Sequence, residues 1–157
     1  MIDVPRISDA AVARIRPLVE ASRYRLDGIP SSIWLEPYMV GLLGMLITLV
    51  AEHEKRAIKQ AAMQRIQSVS WRAITGLEYR IGEEIMLLSS SHNADFLEGC
   101  MDATKIAAEL IYDNAGSSAE APDLGDLAVF GDRGPAAAIP DIPLWRDAFD
   151  SYIARRQ

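Results

Sequence analysis

The amino-acid sequence predicts an all-α fold: a four- to five-helix bundle with one long central helix or a helical hairpin, and a long irregular C-terminal arm that ends in a short helix. Three observations carry this reading. Apolar residues recur at spacings of three and four in several separate stretches, which is the helical period. Residues 37–51 run without a single charge, whereas the nine that follow carry five charged residues. Residues 114–142 have a linker-like composition with no regular period. The chain thus divides into a helical bundle over 1–113, an irregular arm over 114–142 and a docking helix over 143–157.

A chain of 157 residues suits one domain. Half of it is hydrophobic, well outside the composition of disordered chains. Cys100 is the sole cysteine, which excludes an intrachain disulfide and a multi-cysteine metal cluster.

Helix one is expected to start at Ser8 as its cap, with Ile7 and Val12 as a hydrophobic staple, and to bury Val12, Ile15, Val19 and Leu26. Pro17 should bend or break it, because an interior proline costs about 3 kcal/mol. Gly28 to Ser32 is a turn by composition. Helix two follows, with Pro37 tolerated in its first turn. Its pattern continues through Ala57, Ile58, Ala61, Ala62 and Ile66 to about Gln67. A helix that long spans roughly 45 Å, more than a compact domain of this size, so it either projects or is covered by partner subunits.

Helix three reads through Ile66, Val69, Ala73, Leu77, Ile81, Ile85 and Leu88, with Ser68 and Ser70 marking the break from helix two. Helix four has Asn93 as cap and a stripe of Phe96, Cys100, Thr104, Ala107 and Ile111. Within the arm, Leu127 to Phe130 reads as a short strand. The last helix runs from about Asp141 to Arg156, with Trp145, Phe149 and Ile153 spaced to form one stripe that must dock on something.

Chemistry-bearing motifs are scarce. No phosphate-binding glycine loop, nucleophile elbow, zinc-protease helix or paired-cysteine motif occurs. His53 has Leu49, Val50, Arg56 and Ala57 as helical neighbours, so it lacks the second ligand that a metal face needs at i+3 or i+4. His92 stands three residues before Asp95, a spacing better suited to helix capping. Cys100 lies in an apolar stripe, where a thiol is inert filling. Glu83 and Glu84 have no histidine at i+3, so the di-iron bundle signature is absent. Neither a catalytic set, a cofactor site nor a metal site is assigned.

Net charge is −6 and the sequence pI is near 4.9, which argues against nucleic acid as a partner. Charge is uneven. Residues 83–132 hold eleven acids against Lys105 alone, whereas 52–80 hold Lys55, Arg56, Lys59, Arg65, Arg72 and Arg80 against three acids. The N-terminal residues carry neither an apolar core nor a cleavage pattern, so no signal peptide is read and a cytoplasmic location, or one within a protein assembly, is expected.

The function expected from these features is a non-enzymatic structural or interaction subunit that works as a homo-oligomer or in a larger assembly, such as a viral particle. Its expected interface comprises Tyr38, Leu42, Leu43, Leu46, Leu49 and Val50 on the apolar helix, Phe130 on the arm, and Trp145, Phe149 and Ile153 on the last helix. One alternative is a membrane-anchored protein using residues 34–53. Fifteen residues rise only about 22 Å against a hydrocarbon thickness of about 30 Å, and extension imports Glu36 or Glu52, so membrane contact is the weaker reading. Another alternative is a small helical enzyme or ligand-binding regulator with a pocket near Trp71, His92 or Cys100.

Overall fold

A computed structural model of the chain describes residues 2–113 and 141–156. The described residues form an all-α bundle. Helix α1 (Val4–Arg25) is followed by a 3-10 turn (Ser31–Leu35), α2 (Pro37–Glu54), α3 (Gln60–Thr75), α4 (Ile81–Ser90) and α5 (Ala94–Ala108). A π-helical turn (Glu109–Asp113) extends α5. The C-terminal helix has three contiguous pieces: Pro143–Trp145, a π-helical turn over Arg146–Asp150, and Ser151–Arg156. The expected strand over 127–130 lies outside the described residues.

Helix α1 starts four residues before the expected cap. Asp3 caps it by accepting from the Arg6 amide, and Ser8 is buried inside the helix instead. Pro17 neither breaks nor divides α1. Ile7, Ala11, Ile15, Leu18, Val19 and Ser22 are buried on both sides of it, against α2 and α3, and this packing outweighs the lost backbone bond.

The long helix expected over residues 37–67 is divided into two helices at residues 55–59. It ends at Glu54 and restarts at Gln60, and Ala57 between them adopts the left-handed conformation at φ 59°. Each of Ala57, Ile58 and Lys59 is compatible with a helix, so the residue pattern continues where the backbone turns. Ser68 and Ser70 lie within α3 and do not break it. The next break falls at Gly76, whose φ of 80° closes α3 with a left-handed C-cap. Val69, expected in the buried stripe, is exposed.

At eighteen residues, α2 spans about 27 Å, within the bundle's own dimensions. It is the central helix, packed by α1, α3, α4 and α5. Its all-round apolarity follows, since every face meets another element. The closest approach is to α5. A Cβ on Gly41 would run into the Phe96 carbonyl and the Cys100 amide, and a Cβ on Gly99 would run into the Tyr38 carbonyl and the Leu42 amide. The two glycines let the backbones touch. The helices run in parallel from there: Tyr38 lies against Gly99, and His53 packs edge-on against Tyr112 with ring centroids 6.0 Å apart.

The C-terminal helix docks through the stripe that its spacing implied. Trp145, Phe149 and Ile153 are fully buried in the same core. Phe149 lies 5.7 Å from the Trp34 ring and stacks on Trp145 at 4.4 Å. Each such side chain stabilises the docked state by about 1.5–3 kcal/mol, enough to hold a helix that would be marginal alone. Polar contacts fix its position. The Trp145 indole N–H donates to Ser22 Oγ at 2.8 Å, and Ser22 Oγ donates to Asp150 at 2.5 Å. Arg25 reaches both, donating to Asp150 at 2.7 Å and to Ser22 at 3.0 Å.

Candidate interaction surface

Most of the residues expected to form an intersubunit core are covered by the chain's own elements. Tyr38, Leu42, Leu43, Leu46 and Val50 are buried by the chain's own helices, and Leu49 is half-buried at the edge of a cleft between α2 and α5. Trp145, Phe149 and Ile153 likewise dock on their own bundle. The covering that an overlong helix required from a partner is supplied within one chain, because the helix is shorter than its pattern suggests. Phe130 lies outside the described residues. Among the described residues no helix is long and apolar enough to cross a membrane.

The end of the bundle where α2 begins carries a tyrosine pair. Tyr38 and Tyr152 stack with centroids 4.5 Å apart. The Tyr38 hydroxyl donates to Asp102 at 2.6 Å, and the Tyr152 hydroxyl donates to Glu36 at 2.5 Å, while Arg156 pairs with the same Glu36 at 2.6 Å. Burial first, then the bond to Asp102, pushes the Tyr38 phenol well above its usual range. Burial and the bond to Glu36 push Tyr152 up to about 12. These contacts tie the C-terminal helix to the start of α2, and each hydroxyl proton is already engaged by a carboxylate.

The other reactive candidates stay apart. Burial pushes the half-buried Cys100 thiol up to about 11, so it is almost wholly protonated at neutral pH. His92 is exposed in the turn before α5, with φ at 54°. Trp71 is fully buried, and its indole N–H has no partner among the described residues. Among the described residues no three His, Cys, Asp or Glu side chains converge as a metal-binding group.

What the bundle leaves open is the outward face of α5. Leu97 is 41 % exposed, Met101 63 % and Tyr112 66 %. With Ala108 they stand at intervals of four, seven and four residues: Leu97, Met101 and Ala108 lie within about 40° of the α-helix circumference, and Tyr112 follows on the π-helical turn, in a stripe roughly 22 Å long. The buried face of the same helix is made by Phe96, Gly99, Ala103, Ile106 and Ala107. Helix α5 is therefore apolar on two sides but covered on one. Next to the stripe lies a cleft of about 540 Å³, lined by Leu49, Glu52, His53, Arg56, Thr104, Ala107, Ala108, Ile111 and Tyr112.

Charge along the stripe is mixed. Asp95 and Glu98 stand at the start of α5, with no cation among residues 93–104. Lys105 stands towards its end, followed by Glu109, and both Glu52 and Arg56 line the cleft there. Neither Arg56 nor Lys105 has an ion-pair partner among the described residues. A second exposed apolar group, Val69, Tyr79 and Leu87, borders clefts between α3 and α4, but Glu78, Arg80, Glu83 and Glu84 ring it and interrupt the apolar surface.

The sequence pattern missed the α5 face because its helical period was assigned to the stripe of Phe96, Cys100, Thr104, Ala107 and Ile111. The signal was present: a second row, Leu97, Met101, Ala108 and Tyr112, runs beside the first. No protein-family model matches the chain, and neither a curated protein nor a solved structure matches it.

Proposed function

We propose that the protein is a non-enzymatic interaction subunit that self-associates through the outward face of α5, on which a second copy packs antiparallel. The observation that carries this reading is the exposed row Leu97, Met101 and Tyr112 on a helix whose opposite face is already buried. Apolar rows of that regularity at helix spacing suit another helix as partner. An antiparallel second copy presents the same row on both chains by two-fold symmetry and turns Glu98 of each chain towards the end that carries Lys105 and Arg56 in the other.

The magnitude is modest. A stripe about 22 Å long and one helix diameter, about 10 Å, wide falls well below the roughly 800 Å² per partner of a standard interface. The association is accordingly weak and concentration-dependent, and the charges set its register more than its strength.

A dilution series followed by amide NMR tests this. Concentration-dependent shifts should concentrate on Leu97, Met101, Lys105, Ala108 and Tyr112 and on the facing part of α2. Spectra that do not change with concentration, or shifts that map to α3 and α4, would refute it.

A further inference from the structure

The turn between α2 and α3 holds a second open site that self-association through α5 does not use. A cleft of about 420 Å³ is lined by Lys55, Lys59 and Arg65 around Ile2, Ala57, Ile58, Ala61 and Ala62. Two of the three lysines in the chain stand here. None of these three cations has a carboxylate partner among the described residues, although the chain as a whole carries a net charge of −6. Several other surface cations are paired: Arg6 with Glu54, Arg25 with Asp150, Arg80 with Glu83 and Arg156 with Glu36. Three like charges gathered on one concave surface repel one another and favour any anion that enters.

The cleft also selects what kind of anion. Its floor is apolar, with Ile2 and Ile58 half-buried in it. A ligand that presents only charge leaves that floor uncovered. A bare phosphate backbone, moreover, meets a molecule whose net charge is −6. The first turn of α3 adds to the cationic character without defining the site: no side chain caps it and it contains no acid.

We infer that this cleft docks a polypeptide segment in which carboxylates alternate with aliphatic side chains, the carboxylates meeting Lys55, Lys59 and Arg65 and the aliphatics covering Ile2 and Ile58.

Fluorescence anisotropy of a short fluorescein-labelled peptide of alternating Glu and Leu, titrated with the full chain at low salt, provides the test. The expected result is saturable binding that weakens about tenfold in the double variant Lys55→Glu/Lys59→Glu, the effect of losing charge-assisted contacts at the exposed end of their range. Both positions are exposed and lie at helix ends, and Arg65→Gln on α3 provides an independent variant with a smaller loss. Arg23→Glu, near the far end of α1 from Ile2, changes the net charge by as much per site away from the cleft and should leave binding unchanged. Absence of saturable binding, or equal weakening by Arg23→Glu, overturns the inference. So does binding to phosphatidylserine vesicles without binding to the peptide, which would assign the cleft to a lipid surface.

Discussion

Replacing Gly41 by alanine probes the contact on which the bundle is built. At an open helical position the change stabilises by about 1 kcal/mol, since glycine is the poorer helix former. Gly44, one turn along the same helix, approximates that case: its added Cβ meets only the end of the Ile85 side chain, with Cδ1 at 2.8 Å, and a side-chain tip can rotate away. Gly44→Ala should therefore be neutral or stabilise by up to about 1 kcal/mol. At Gly41 the obstacle is backbone. The new carbon would press into the Phe96 carbonyl oxygen and stand 3.0 Å from its carbon and 3.2 Å from the Cys100 nitrogen. Relief requires α5 to move away from α2 along much of their shared length. Overpacking of this kind costs about 1–3 kcal/mol, and the loss of contacts around the displaced helix adds to it. The balance is a net destabilisation of about 1–2 kcal/mol, or a midpoint lower by about 2–8 °C for a chain of this size. Gly99→Ala should behave alike, and the double variant should cost less than the sum, because helices already parted accommodate the second methyl. Thermal and urea unfolding of the four variants provide the assay. Gly41→Ala equal to or more stable than Gly44→Ala would refute the backbone contact.

Two further outcomes follow from the polar seams. Ser22→Ala removes the acceptor of the buried Trp145 indole N–H and one ligand of Asp150, and should cost about 1–3 kcal/mol in urea unfolding; an unchanged midpoint would mean that the indole finds water instead. Alkaline pH should destabilise the fold: Tyr152 is held near 12 and Tyr38 is also raised, against 10.0 for the free phenol, so the folded chain keeps protons that the unfolded chain releases. The contribution is present below pH 10 and is lost as pH rises through about 12, and the melting midpoint should fall less steeply there in Tyr38→Phe/Tyr152→Phe.

The sequence was most legible where periodicity and chemistry coincide. Asn93 caps α5 by accepting from the Phe96 amide at 3.0 Å, as its position before an apolar stripe implies. Trp145, Phe149 and Ile153 are the docking residues of the last helix, as their spacing implies. The break after Glu54 was illegible because Ala57 takes a left-handed conformation that glycine or asparagine usually marks. The same turn changes the helix length: a helix of about 45 Å projects or is covered by partner subunits, whereas α2 is short enough for its own bundle to enclose. Pro17 failed as a breaker for the opposite reason, since tertiary burial on both sides overrode a local cost. The α5 surface depends on which of two parallel apolar rows meets α2, and the Gly41–Gly99 crossing decides that. Neither row alone records the choice.

Sedimentation equilibrium of the wild-type chain beside Met101→Glu tests the self-association claim most directly, with melting curves taken in parallel. Met101 is exposed in the single chain, so the substitution should leave its fold and midpoint unchanged while placing a charge within the proposed seam. The expected result is a wild-type mass that rises with concentration from 17.3 kDa towards twice that value, and a variant that remains at 17.3 kDa throughout. A wild-type chain that stays at 17.3 kDa at every concentration, or a variant that associates as readily, would contradict the assignment of α5 as the interface.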